Sequence, residues 1–173
     1  MAAERIVSDP CLANIRVLSC DVDGVLTDGG LYYDNNGQSM LRFNVQDGMG
    51  LKLLMKAGIS VCFISQSNNG IIARRATALG ITHCFMGIED KLAVMLDLIS
   101  ELGVEMSQVC HIADDVNDLS LLEKVGVPVT VANGVQNVVD VCRFITSRPG
   151  GQGAVRELCD MVLTAREQSF QRF

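Results

Sequence analysis

The sequence predicts an α/β fold in which a doubly wound parallel sheet carries helices on both faces. Three observations point to it. Short apolar runs alternate with segments of helical period along the whole 173-residue chain, the pattern of parallel strands joined by crossover helices. Gly58, Gly80 and Gly103 stand where the helical segments should stop. Acidic and hydroxyl side chains fall just after the apolar runs, at the strand ends where open α/β sheets place their ligands.

In chain order, Ile15-Arg16-Val17-Leu18 is a short buried strand that leads into Ser19-Cys20-Asp21-Val22-Asp23-Gly24. Two acids one residue apart on an extended chain point to opposite faces. Gly24 lets the backbone turn and bring Asp21 and Asp23 towards one site. Residues 30–45 form a hairpin, with two β-prone runs flanking an Asp34-Asn35-Asn36-Gly37 turn. A lone hairpin is marginal in water, so Leu31, Tyr33, Leu41 and Phe43 should pack on the parent sheet or on another subunit.

The remaining elements follow the alternation. Helices are expected from Asp47 to about residue 57 and over residues 68–79, 89–101, 116–125, 135–141 and 154 to about 167. Strands are expected over residues 60–65, 82–85, 108–112, 128–131 and 143–145. No repeat or linker interrupts them. The chain therefore reads as one domain, with a core over about residues 15–165, the hairpin at about 30–45 and a C-terminal segment at about 149–173.

Composition narrows the function classes. With 49% hydrophobic and 20% charged residues the chain is a folded globular protein, and at a net charge of −6 with no Lys/Arg cluster it is not built for nucleic acid or an anionic membrane. Glu4, Arg5, Asp9 and Pro10 interrupt the N-terminus, so no signal peptide is read there, and no run approaches a membrane span. The seven cysteines are an odd number without C-x-x-C spacing, which indicates reduced thiols in a cytoplasmic protein.

Four sites should meet on one edge of the sheet: Asp21 with Asp23, Ser65, Lys91, and Asp114-Asp115-Val116-Asn117-Asp118. Singly these read as a solvated turn, helix caps and a surface cation. Together, at strand ends, they suit phosphate chemistry around a hard cation such as Mg²⁺, which prefers oxygen ligands. His83 and His111 lie in strand-like runs and read as structural.

This ordered set resembles the haloacid dehalogenase superfamily of aspartyl-nucleophile phosphotransferases, over Val17 to roughly Leu163. The resemblance implies a Rossmann-like core in which Asp21 attacks phosphorus. Asp23 would protonate the leaving oxygen, activate water and lend its carbonyl to Mg²⁺; Ser65 and Lys91 would hold the phosphoryl oxygens; Asp114 would ligate the metal. Asn117 would contact phosphate, and Asp118 would fix Lys91 or a metal-bound water. Ala113 stands where the superfamily usually has Gly. The stretches between Asp23 and Ser65 and between Ser65 and Lys91 leave no room for a cap domain.

Asp21-Val22-Asp23-Gly24-Val25-Leu26-Thr27-Asp28-Gly29, Phe43-Asn44-Val45-Gln46-Asp47-Gly48, Leu79-Gly80-Ile81-Thr82-His83 and Gly150-Gly151-Gln152-Gly153-Ala154-Val155-Arg156-Glu157 together resemble one subfamily. It is the 3-deoxy-D-manno-octulosonate 8-phosphate phosphatases and their nonulosonate 9-phosphate relatives. The resemblance implies a Mg²⁺-dependent phosphatase of lipopolysaccharide biosynthesis, acting on an acidic keto-sugar phosphate, with Asp47, Gly48, Arg75 and Arg156 added to the substrate-binding set. It also implies a homotetramer whose hairpins associate and whose Gly-rich segment reaches a neighbour's site; an ordinary turn and helix start explains that segment equally well. In this subfamily the second strand usually ends Thr-Gly-Arg, where this chain has Ser65-Gln66-Ser67. Ser67 cannot supply the cation, so Arg74, Arg75 and Arg156 are the candidates to do so. Two other classes stay open: a non-catalytic oligomerisation module like the C-terminal domains of animal CMP-sialic acid synthetases, and a signalling receiver domain.

Overall fold

A computed structural model describes residues 10–37 and 39–170. The N-terminal reading at Glu4, Arg5 and Asp9, Gln38 in the hairpin, and the last residues of the C-terminal segment lie outside the described residues.

Six parallel strands form the sheet in the order β5-β4-β1-β6-β7-β8. They are β1 Val17–Cys20, β4 Ser60–Ile64, β5 His83–Phe85, β6 Val109–Ala113, β7 Val127–Thr130 and β8 Phe144–Ile145. The order runs outward from β1 in both directions, so β1 lies at the switch point, with β4 on one side and β6 on the other. That crevice is where such sheets bind ligands.

Alternation along the strands divides the core. Leu18 and Cys20 of β1, Val61 and Phe63 of β4 and Cys110 and Ile112 of β6 face one layer. It contains α1 (Pro10–Ala13), α2 (Val45–Lys56), α3 (Gly70–Leu79) and α7 (Ala154–Phe170). Val17, Cys62, Ile64 and Val109 face the other, packed by α4 (Lys91–Leu102) and by Leu121 of α5 (Leu119–Leu122). The short α6 (Gln136–Val139) closes a third, small cluster through Val138. Burial on both faces is why the strands read as continuous apolar runs.

Helix ends follow local chemistry. Asn44, Asn69 and Asp90 accept backbone N–H groups at the starts of α2, α3 and α4. Gly80 and Gly103 end α3 and α4 in the left-handed conformation. Two expectations shift. The helix expected from Asp47 begins at Val45 because Asn44 is its cap. The helix expected over 116–125 is a 3₁₀ turn, Val116–Asp118, followed by the short α5, and the tighter turn carries Asp118 inward to full burial.

Among the described residues the hairpin strands, β2 Tyr32–Tyr33 and β3 Ser39–Met40, pair antiparallel over two residues each. Leu41 and Phe43 pack on the main core, whereas Leu31, Tyr32, Tyr33 and Met40 are exposed. Cys20, Cys62, Cys84, Cys110, Cys142 and Cys159 are reduced thiols. Among the described residues no helix is long and apolar enough to cross a membrane.

Candidate active site

β1 delivers Asp21 to the crevice, and the Asp21 amide still donates to Ile112 O of β6 at 3.0 Å. The chain then curls: the amides of Val25, Leu26 and Thr27 all converge on Val22 O. Thr27 Oγ1 braces the curl by accepting from Gly24 N at 3.2 Å and Gly29 N at 3.3 Å. Gly24 is required twice over, because its φ is +83° and a Cβ there would strike the Asp114 carboxylate. Absence of a side chain at Gly24 is what lets the two acidic segments meet.

The loop is pinned from behind by the segment before α7. Gly151 N donates to Val25 O at 2.9 Å, and a Cβ on Gly150 would collide with Gly24 O. Asp47 holds that segment in turn, accepting from Arg156 N at 2.8 Å at the start of α7.

Charge is concentrated around Asp21. Lys91 is only 1% exposed and places its ammonium 2.9 Å from Asp21 Oδ1 and 2.7 Å from Asp118 Oδ2. Burial pulls the Lys91 pKa down, but the two carboxylates outweigh it and hold the ammonium above its ordinary range. Burial and then Asp118 push the Asp21 carboxyl up to about 6 against the pull of Lys91. Asp23, half-buried, is also raised, chiefly by burial, while Ser65 Oγ donates to its Oδ2 at 3.4 Å. Asp114 rises to about 7 through burial and the nearby carboxylates of Asp21, Asp115 and Asp118.

These acids fit a hard cation. The donors are all oxygen, and both carboxyls are raised first by burial and then by neighbouring carboxylates, Asp118 at Asp21 and Asp21 at Asp114, a load of negative charge that a bound cation would relieve. Among the described residues no three His, Cys, Asp or Glu side chains converge as a finished cage. Mg²⁺ seldom requires one, since it keeps waters and uses one or two carboxylates with a substrate phosphate.

Above the acids opens a cavity of about 930 Å³ bordered by the β4 mouth, the hairpin and the Asp114 loop. Among the described residues none that lines it is Lys or Arg. Asn69 Nδ2 donates to Ser39 Oγ at 2.7 Å and ties the hairpin to the β4 mouth.

The 3-deoxy-D-manno-octulosonate 8-phosphate phosphatase of Yersinia pestis is 40% identical over 156 residues, covering 90% of this chain and 83% of the relative. This chain belongs to that phosphatase family. Residues 81–158 also match the haloacid dehalogenase-like hydrolase family. A haloacid dehalogenase superfamily (subfamily III A) hydrolase from Legionella pneumophila superposes with a TM-score of 0.91 at 43% identity, covering 98% of this chain and 95% of that one. The phosphatase from Moraxella catarrhalis, solved with magnesium, phosphate and a KDO molecule, superposes with a TM-score of 0.90 at 36% identity, covering 98% and 97%.

In this phosphatase chain the structure brings Asp21, Asp23, Ser65, Asp114 and Asn117 to the cavity wall. Lys91 lies directly behind Asp21. The other expected substrate contacts are placed elsewhere. Asp118 is fully buried, and both its oxygens are taken by Lys91 and His111. Asp47 caps α7, and Gly48 leaves space for the Arg75 guanidinium, which donates to Asn44 O and stacks on Phe43. Arg156 pairs with Asp160 on the outer side of α7. The Gly-rich segment packs on its own chain's nucleophile loop. Sequence reasoning missed that clamp, and it read His111 only as structural; the one available signal was a Ser and a His each embedded in an apolar strand.

Proposed function

We propose that this phosphatase cleaves 3-deoxy-D-manno-octulosonate 8-phosphate, with Mg²⁺, through an aspartyl phosphate (an acyl phosphate) formed on Asp21. The single observation that carries the reading is the Lys91 ammonium held against Asp21 and out of water. A carboxylate approaching a phosphate dianion is repelled unless positive charge is fixed beside it.

Asp21 attacks phosphorus in line as the bond to the sugar oxygen breaks, and Asp23 donates its proton to that oxygen. The raised Asp23 pKa favours the protonated form needed for this step. Asp23 then takes a proton from water as the water attacks the aspartyl phosphate, releasing inorganic phosphate and restoring Asp21. The Ser65 hydroxyl, Lys91 and the Asn117 amide orient the phosphoryl oxygens. Asp21, Asp114 and the Asp23 carbonyl would hold Mg²⁺, which when bound would supply further positive charge at the phosphoryl group.

Among the described residues the cavity wall carries no basic side chain for the sugar acid's carboxylate. We assign that cation to a neighbouring copy in a homotetramer, a reading supported by the exposed hairpin residues Leu31, Tyr32, Tyr33 and Met40. The reduced thiols of Cys20, Cys62, Cys84, Cys110, Cys142 and Cys159 support a cytoplasmic location.

The test is inorganic phosphate release from 3-deoxy-D-manno-octulosonate 8-phosphate, a nonulosonate 9-phosphate and simple hexose phosphates, with Asp21→Asn as control. Selective release from the first, lost in the variant, is expected. Preference for the nonulosonate ester would move the substrate one carbon further, and no release from any ester would overturn the reading.

A further inference from the structure

The buried charges do not end at Lys91. Asp118 Oδ2 accepts from the Lys91 ammonium at 2.7 Å, and its Oδ1 lies 2.7 Å from His111 Nε2. His111 Nδ1 lies 3.0 Å from Ser19 Oγ. Ser19, His111 and Asp118 have no solvent exposure. Ser19 and His111 are paired residues of β1 and β6, so the far end of this contact chain is fixed by the register of the two central strands.

A row of polar side chains in an apolar layer is costly to desolvate, and apolar residues of similar volume would stabilise the sheet as well or better. Its retention is therefore better explained by position than by stability. A carboxylate turns freely about its last bond, and Lys91 is a flexible stem. With only Lys91 to hold it, Asp118 could rotate and take the ammonium with it. Asp118 only accepts, so His111 Nε2 donates. The Ser19 hydroxyl at Nδ1 then blocks the ring flip.

We propose that His111 is a positioning residue for the phosphatase reaction, clamping Asp118 so that its second oxygen aims the Lys91 ammonium at Asp21. The role depends on Asp21 being the nucleophile, and the experiment separates the two claims.

Phosphate release from 3-deoxy-D-manno-octulosonate 8-phosphate with Mg²⁺ is measured for wild type, His111→Phe, His111→Gln and Ser19→Ala, with thermal melting and crystal structures of each variant. Phe keeps volume without the N–H, and Gln keeps an N–H close to the position of Nε2. In His111→Phe, kcat is expected to fall about tenfold or more with KM changed less than about threefold, while His111→Gln recovers most of the loss. In the His111→Phe crystal Lys91 should no longer bridge Asp21 and Asp118. A folded His111→Phe protein with wild-type kcat, a Gln variant as slow as the Phe variant, or an unmoved Lys91 would each overturn the proposal. Should His111→Phe fail to fold, Ser19→Ala decides: kcat reduced about threefold or more supports the clamp, and an unchanged kcat overturns it. A wild-type protein inactive on every ester would overturn the function reading instead, and the position of Lys91 in the variant crystals would then decide this proposal alone.

Discussion

Lys91 Nζ stands 2.9 Å from Asp21 Oδ1 with its side chain wholly shielded from solvent, so a single ammonium serves both the stability of the core and the charge balance of the nucleophile. Truncating it leaves Asp21 and Asp118 as neighbouring buried acids without their shared cation. Lys91→Met is expected to lower stability by about 3–5 kcal/mol in a denaturant titration and to abolish phosphate release. Asp21→Asn should abolish release while leaving the midpoint near wild type, because it removes one buried charge and keeps a hydrogen-bonding oxygen. Residual turnover in Lys91→Met within tenfold of wild type would contradict the assignment.

Asp21 and Asp114 couple stability to pH. Both have folded pKa values raised from 3.8, to about 6 and about 7 respectively. A carboxyl raised on folding stabilises the native state below its unfolded pKa, and that contribution is lost as pH rises through the folded value. In the presence of a chelator, these two groups should therefore lower the melting temperature as pH rises from about 4 to about 7. Mg²⁺ binds the deprotonated acids and should raise the melting temperature most at the upper end of that window. A Mg²⁺ stabilisation that is larger at the acid end would refute the ligand set.

Two glycines should respond in opposite ways to an added methyl group. Gly150→Ala drives a Cβ into Gly24 O behind the nucleophile loop, and is expected to cost about 1–3 kcal/mol and to reduce kcat by displacing Asp21 and Asp23. Gly70 opens α3 with nothing near its missing Cβ, so Gly70→Ala should stabilise by about 0.4–1 kcal/mol with unchanged kinetics. Paired melts and turnover numbers check both.

Ser67 lines the cavity at the β4 mouth, and its hydroxyl accepts from Asn69 N. Ser67→Arg adds a bidentate cation to a wall that has none among the described residues, and should lower KM for the keto-sugar acid phosphate several-fold without improving hexose phosphates. Equal effects on acidic and neutral sugars would show that the gain is general attraction to phosphate.

Cys20, Cys62, Cys110 and Cys159 are buried, and burial raises each thiol, Cys62 to about 12. Thiolate is the reactive form, so these four should label with a maleimide only on unfolding. Mass spectrometry of native and denatured protein distinguishes them from the partly exposed Cys11, Cys84 and Cys142.

The sheet was legible because its strands are buried on both faces and its helices end on glycines, both of which are local signals. The acids, Ser65 and Lys91 were legible because strand ends converge in this topology whatever the details of packing. The contacts that Asp47, Gly48, Arg75 and Arg156 make within the chain were not legible, because their neighbours lie up to about a hundred residues away, as with Asp47 and Arg156. Spacing along the chain says nothing about such meetings. The hairpin was legible for a local reason, two β-prone runs around a turn, but which of its residues would be buried was not: Leu41 and Phe43 reach the main core, while Leu31 and Tyr33 stay exposed.

The strand that bears the nucleophile takes its partners from β4, β6 and the Gly150–Gly151 turn, so it cannot be completed by its own neighbourhood in the chain. During synthesis Asp21 leaves the ribosome ahead of β4, β6 and the Gly150–Gly151 turn, and it has no finished surroundings until all three have followed. An unfinished chain is therefore catalytically silent, and hydrolysis begins as a late, all-or-none event in the life of each molecule.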